Sequence, residues 1–110
     1  MKFLIEENAK IDIKLAISWL AKKIPADEAK TQILAIIYDV KNQLIVHPNS
    51  GTKCQFNFEN KYREIIKNNY RTIYKLDQLK KEITIILFCH TRMNFQSLLS
   101  QSNIYNRSIM

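Results

Sequence analysis

The first half of the chain has apolar residues at the spacing of amphipathic helices, after one short strand over residues 2–6. Asn8 can cap a helix that begins at Ala9. Pro25 ends this helix and can serve as the first residue of the next one. Two amphipathic helices joined by a short turn predict a helical hairpin with one shared apolar face. The two stripes are Ile13, Ala16, Ile17, Leu20 and Ile24, and then Ala29, Ile33, Ile36, Ile37, Val40 and Leu44.

The pattern changes near residues 47–51, after which apolar residues alternate as they do in strands. Asn68 and Asn69 both tolerate positive φ, as a tight hairpin turn requires. The predicted strands are Tyr62–Lys67, Tyr70–Asp77 and Glu82–His90, with a short additional strand over Cys54, Phe56 and Phe58.

The predicted strand Glu82–His90 is apolar on both faces, which is typical of a central strand. Strict alternation groups Ile83, Ile85, Leu87 and Cys89 on one face. The fold class predicted is therefore α+β: a short N-terminal strand, a helical hairpin, then an antiparallel β-meander of three or more strands. We expect the helices to cover one face of the sheet. The other face should be partly open and display Arg and Lys.

Composition fits one soluble domain with a basic second half. The chain has 110 residues, of which 46% are hydrophobic and 25% are charged, and its net charge is +7. Residues 1–50 carry a net charge of +1 and residues 51–110 carry +6, including all four arginines. This asymmetry indicates an acidic partner at one end or face, whereas a solvated basic surface is the simpler alternative.

The sequence lacks the signatures of membrane-spanning, secreted, metal-binding and cofactor-binding proteins. No apolar run is long enough to span a bilayer, and the early acids Glu6 and Glu7 argue against a signal peptide, so we expect a cytoplasmic protein without membrane contact. Cys54 and Cys89 are far apart, with no CxxC pair or histidine at ligand spacing, so we expect reduced thiols and no metal site. A single glycine excludes glycine-rich phosphate loops, and we expect no small-molecule cofactor.

Three motifs follow one another in the second half. They read Tyr62-Arg63-Glu64, then Tyr70-Arg71-Thr72-Ile73-Tyr74-Lys75-Leu76, then Ile83-Thr84-Ile85-Ile86-Leu87-Phe88-Cys89-His90-Thr91-Arg92. A loop with Pro48 and Gly51, and a helix opened by Pro25-Ala26-Asp27-Glu28-Ala29, precede them. In this order and spacing the chain resembles the ParE/RelE superfamily of bacterial type II toxins, nearer to ParE, over roughly residues 3–95. The resemblance implies a single toxin domain over residues 1–95 and a C-terminal tail over residues 96–110.

The resemblance also implies a toxin that a cognate antitoxin binds and neutralises. We expect the antitoxin to lie along the helical hairpin or the sheet edge. ParE-like members poison DNA gyrase, and RelE-like members cleave mRNA in the ribosome. Gyrase inhibition by binding is the function expected here, and a ribosome-dependent endoribonuclease is the alternative. A second alternative is a small basic nucleic-acid-binding domain, although the strands lack exposed aromatic clusters for stacking bases.

Two arginines match the most recurrent basic positions of the family. Arg71 and Arg92 are predicted to bind an acidic target or another anion, and in a meander they could approach each other across the sheet. The alternative for Arg71 is a structural ion pair with Glu64. Further basic candidates for the target or anion site are Lys53, Lys61 and Arg63.

A ribonuclease would need acid–base groups beside a bound phosphate. The weak candidates for catalysis are His90, Arg71, Arg92 and Tyr105. For His90 a buried, hydrogen-bonded role in the fold is an open alternative. Because His90 is expected to serve the fold and Tyr105 lies in a tail beyond the residues that match the family, we expect no mRNA cleavage.

Overall fold

Two helices and five strands are defined in the computed structural model, which describes residues 1–54 and 61–93. They are β1 (Lys2–Ile5), α1 (Glu7–Leu20), α2 (Ala26–Val46), β2 (Thr52–Lys53), β3 (Tyr62–Lys67), β4 (Tyr70–Asp77) and β5 (Glu82–His90). The α+β prediction is confirmed. Phe56 and Phe58, Tyr105 and the tail over residues 96–110 lie outside the described residues.

The strands form one mixed sheet in the order β1-β5-β4-β3-β2. The strands from β2 to β5 pair antiparallel, as the predicted meander requires. β1 instead pairs in parallel with β5, from Lys2 opposite Glu82 to Ile5 opposite Ile85. β5 therefore lies between β1 and β4, which agrees with its apolar residues on both faces.

The helix boundaries differ from the prediction at three points. α1 begins at Glu7, so Asn8 is not its cap; Glu6 has the extended backbone of an N-cap residue, and its carbonyl accepts a hydrogen bond from the N–H of Lys10 at 3.0 Å. α1 ends at Leu20, one turn before Ile24. Pro25 is the N-cap of α2 rather than its first residue. Glu6 is the single residue between β1 and α1, and its side chain makes no capping hydrogen bond.

The principal core lies between the helical hairpin and one face of the sheet, as the apolar stripes predict. Its buried residues are Ala9, Ile13, Ala16, Ile33, Ile36, Val40, Leu44, Ile65, Tyr70, Tyr74, Ile83, Ile85 and Phe88. A second cluster is buried on the other face and comprises Cys54, Tyr62, Ile73, Ile86, Leu87 and Cys89. This second face is therefore buried at its centre but open at Ile66, which is 55% exposed and lies opposite Arg71, so the expected partly open face is confined to its margin.

A β-bulge divides β5 between these two cores. Ile73 lies opposite Leu87 and Tyr74 lies opposite Ile85, so Ile86 is an extra residue in the ladder. Beyond it the alternation is inverted. Ile83 and Ile85 face the helices as expected, but the prediction that Leu87 and Cys89 share their face is wrong, since both belong to the second cluster.

The turns contain residues that suit their backbone conformation and packing. Asn68 and Asn69 have φ values of 52° and 69°, which confirms the predicted tight turn between β3 and β4. The loop before β2 is tied to Tyr74, whose hydroxyl donates to the carbonyl of Pro48 at 2.9 Å and accepts from the N–H of Gly51 at 3.0 Å. Gly51 is buried beneath that ring.

Within the part of the chain described here, neither helix has the length and apolar character needed to cross a bilayer. Over the same residues, no group of three His, Cys, Asp or Glu side chains could hold a metal ion. Cys54 and Cys89 are both buried and do not form a disulfide with each other. Burial raises the pKa of the Cys89 thiol to about 11, so this thiol is protonated and unreactive at neutral pH.

Candidate functional site

Arg71 forms an ion pair with Glu64 on the sheet face that points away from the helices. Its Nη1 donates to Oε2 of Glu64 at 2.9 Å, between the neighbouring strands β4 and β3. The two side chains are only 16% and 12% exposed, so the pair is largely shielded from water. The ion pair given as the alternative for Arg71 is thus present. An anion that approaches Arg71 has to compete with the carboxylate of Glu64.

Arg92 lies on the helical side of the sheet, at a cleft of about 450 Å³. We call it the Trp19 cleft. It lies between the C-terminal end of α1, the middle of α2 and the end of β5. The polar and aromatic residues that line it are Trp19, Lys23, Gln32, Asn68, Tyr70, His90 and Arg92. One lysine and one arginine, Lys23 and Arg92, line this cleft, and none of the described residues that line it is an aspartate or glutamate, so the charged groups at its wall are all positive.

His90 is held firmly at the wall of the Trp19 cleft. Its Nδ1 accepts a hydrogen bond from the N–H of Arg92 at 2.9 Å. Its ring centroid lies 4.7 Å from that of Trp19 and 4.8 Å from that of Tyr70. Burial, and then the positive charges of Arg92 and Lys23, lower the pKa of His90. The imidazole is therefore neutral at neutral pH and forms part of an aromatic cluster, which favours its role in the fold.

The structure does not bring Arg71 and Arg92 together. Arg71 alternates with Tyr70, which packs in the core under the helices, and so lies on the far face beside Glu64. Arg92 lines the Trp19 cleft with residues of both helices. The expectation that the two arginines approach each other across the sheet is wrong, because the sheet itself separates them.

The other basic candidates lie in or next to β2 and β3, away from the Trp19 cleft. Arg63 is part-buried and donates from Nη1 to the carbonyl of Gly51 at 2.8 Å, so it stabilises the loop before β2. Lys53 lies opposite Arg63 in the ladder and is exposed. Lys61 is exposed and borders a second cleft that also contains Asp77. These three residues do not share a site with Arg92, and Tyr105 lies outside the described residues.

Two residues of the Trp19 cleft were missed by sequence reasoning. Trp19 is the single tryptophan of the chain and lies just off the apolar stripe of α1. The Nζ of Lys23 lies 4.2 Å from the centroid of the Trp19 ring, in a cation–π contact. A tryptophan followed four residues later by a lysine, at the end of a helix, is the signal that could have indicated this cluster.

The solvent side of the helical hairpin carries exposed apolar residues. Ile11 and Leu15 on α1 are 53% and 48% exposed, and Leu34 and Tyr38 on α2 are 46% and 62% exposed. Each pair is spaced four residues apart and so lies on one face of its helix. We call these four residues the outer helical face. Apolar side chains arranged in this way are typical of a surface that a partner covers.

Comparison with known proteins places this architecture. A family model described as the ParE toxin of the type II toxin–antitoxin system parDE matches residues 3–95. Among solved structures, the chain is similar to one described as the chromosomal ParDE TA system from P. aeruginosa, with a TM-score of 0.69 and 16% identity. That alignment covers 84% of this chain and 97% of the other, and at this identity it shows the shared fold. No curated protein sequence matches the chain.

Proposed function

Because this chain belongs to the ParE toxin family of type II toxin–antitoxin systems, we propose that it arrests bacterial growth by binding and inhibiting DNA gyrase. The match over residues 3–95 carries the proposal, since the ParE-like branch of the superfamily is the one that poisons gyrase. The cognate antitoxin is the partner that neutralises the toxin. We place the protein in the cytoplasm, where gyrase acts. We assign residues 1–95 to the toxin domain and residues 96–110 to a C-terminal tail.

The geometry of the candidate residues supports target binding over RNA cleavage. Cleavage needs a group that accepts a proton and one that donates a proton beside the reacting phosphate. His90 uses its Nδ1 to accept the N–H of Arg92 and is packed against Trp19. Arg71 is paired with Glu64 on the opposite face of the sheet. His90 and Arg71 therefore do not form one acid–base site.

The outer helical face supports a docking site for the antitoxin. Its four exposed apolar residues lie two on each helix of the hairpin, and apolar residues four apart on a helix are anchors that an extended or helical segment can contact. The net charge of +6 in the second half favours an antitoxin segment with acidic residues beside its apolar anchors. We propose that Leu34 and Tyr38 are among the anchoring contacts.

A paired assay tests the proposed target. Purified toxin is added to a gyrase supercoiling reaction and, separately, to a translation reaction whose mRNA is read by primer extension. We expect loss of supercoiling or accumulation of cleaved DNA complexes, together with intact mRNA. Toxin premixed with its antitoxin is the control, and it should leave supercoiling unchanged.

The same assay identifies the alternatives. Codon-dependent cuts in the mRNA, with supercoiling untouched, would make the protein a ribosome-dependent endoribonuclease. Inhibition of supercoiling that disappears when DNA is present in excess over gyrase would indicate a basic nucleic-acid-binding domain that acts on DNA alone. Either result overturns gyrase as the target while leaving the family membership intact.

A further inference from the structure

The Trp19 cleft has the charge of an anion-binding site. Lys23 and Arg92 come from different parts of the chain, the turn after α1 and the end of β5, and both border this one cavity. None of the described residues around it is a carboxylate that could neutralise them. Lys23 and Arg92 also contribute to the lowered pKa of His90, which indicates that their charges act within the cleft.

Hydrogen-bond donors accompany these charges. Because Nδ1 of His90 accepts the N–H of Arg92, the neutral imidazole carries its hydrogen on Nε2. Gln32 and Asn68, which also line the cleft, contribute side-chain amide groups. The cavity of about 450 Å³ lies in the size range of small-molecule sites. The cleft thus combines two cations with several N–H donors in a space that a small ligand can fill.

We propose that the Trp19 cleft binds a phosphate group, held by Lys23 and Arg92 and by N–H donors of the surrounding side chains. A phosphate monoester carries nearly two negative charges and three strong acceptor oxygens, which matches two cations and several donors. A carboxylate offers one charge and two oxygens and leaves part of this donor set unused. The phosphate comes from a small phosphorylated molecule or from a nucleic-acid strand. The proposal does not depend on whether gyrase is the target.

Trp19 makes the site directly observable, since it is the single tryptophan of the chain and lines the cleft. The full-length toxin is titrated with inorganic phosphate, with adenosine monophosphate and with a short single-stranded DNA, at constant ionic strength set by chloride. We expect a saturable change in Trp19 fluorescence. Lys23→Gln and Arg92→Gln should each weaken binding about tenfold or more, because each removes a charge-assisted hydrogen bond.

Two controls isolate the cleft. Lys14→Gln removes one exposed positive charge from α1 outside the cleft and should leave the affinity unchanged. Lys23→Arg keeps the charge and should retain most of the binding. Because Lys23 lies over the Trp19 ring, its replacement also changes the fluorescence of the free protein. Titration calorimetry therefore measures the same affinities independently, and circular dichroism checks that the variants are folded.

The ligand arms separate the two sources of phosphate. Binding of phosphate and adenosine monophosphate, lost in both glutamine variants, supports a small phosphorylated ligand. Binding of the DNA strand alone, with the same loss, supports a nucleic-acid backbone. Free glutamate is titrated in the same way as a carboxylate control. The proposal is overturned if none of the three phosphate probes binds, if both glutamine variants bind like Lys14→Gln, or if glutamate binds as tightly as inorganic phosphate. Gyrase supercoiling is measured separately, so its outcome does not affect this test.

Discussion

The carboxylate of Asp12 accepts a hydrogen bond from the backbone N–H of Phe88, with 3.2 Å between Oδ2 and the nitrogen. Asp12 is 3% exposed, and the two residues are 76 positions apart. β1 pairs with β5 only as far as Ile5 and Ile85, so α1 contributes the acceptor for the next part of this strand edge. The contact fixes α1 against the central strand just beyond the bulge.

We expect Asp12→Ala to destabilise the protein. The substitution leaves the N–H of Phe88 buried without this acceptor, which costs roughly 1–3 kcal/mol of the free energy of unfolding. Asp12→Asn keeps a side-chain carbonyl oxygen and should cost less. Urea denaturation measures the free energy of unfolding of both variants. Asp39→Ala, which replaces an exposed aspartate on α2, is the control. Equal stability of Asp12→Ala and Asp39→Ala would show that the bond contributes nothing.

Gly51→Ala should also destabilise the protein, because the site has no room for a side chain. A Cβ atom at residue 51 would lie 2.6 Å from the hydroxyl oxygen of Tyr74 and 2.9 Å from the carbonyl oxygen of Glu64. Overpacking of this kind costs roughly 1–3 kcal/mol. Thr52→Ala, at the exposed neighbouring residue, is the control, and thermal unfolding is the measurement. A Gly51→Ala variant that melts with the wild type would contradict the packing seen here.

The hydrophobic pattern was sufficient to predict most of the fold. The helix stripes, the Asn68-Asn69 turn and the meander follow from local spacing, because each element buries one face. The bulge at Ile86 could not be predicted, since a strand that is apolar on both faces gives no sign of where its register shifts. The parallel pairing of β1 with β5 depends on contacts across 80 residues, which local patterns do not encode.

The candidate site was predictable only in part. The ion pair between Arg71 and Glu64 follows from their positions on paired strands. The Trp19 cleft does not, since it joins the end of α1 to the end of β5, and the sequence holds these elements about seventy residues apart. The separation of Arg71 from Arg92 likewise depends on which sheet face each side chain takes, which only the packed structure reveals.

Paired substitutions distinguish a functional Arg71 from a structural one. Arg71→Ala and Glu64→Ala both break the same ion pair, and each should cost roughly 1.5–3 kcal/mol as a charged hydrogen bond is lost. Only Arg71→Ala also removes the cation. If Arg71 contacts the target, Arg71→Ala should relieve growth arrest far more than Glu64→Ala does at equal soluble expression. Equal loss of toxicity in the two variants would assign Arg71 to the fold alone.

The environment of His90 predicts lower stability in acid. Its pKa in the folded chain lies below the ordinary value of 6.5, mainly because of burial. As pH falls through about 6.5 towards the folded pKa, the unfolded chain binds a proton that the folded chain does not, so unfolding becomes more favourable. His90→Gln should reduce the loss in Tm between about pH 7.5 and pH 5.5. His47→Gln, at the exposed histidine, should leave that loss unchanged, and an identical loss in both variants would count against His90 as its source.

The exposed apolar residues of the outer helical face lead to a last prediction, about neutralisation of the toxin by its antitoxin. Tyr38 is 62% exposed on α2, so Tyr38→Lys removes apolar contact area from the surface without disturbing the core. If the antitoxin covers this face, Tyr38→Lys should still arrest growth but should resist rescue by the co-expressed antitoxin. The affinity of the Tyr38→Lys toxin for the antitoxin, measured by titration calorimetry, should fall. Gln78→Lys adds the same charge at an exposed polar residue in the turn between β4 and β5, outside the helical hairpin, and it should be rescued like the wild type. Equal rescue of the two variants would move the antitoxin to another surface. Loss of toxicity by Tyr38→Lys alone would instead assign this face to the target, because an exposed side chain that the fold does not need would then be required for growth arrest.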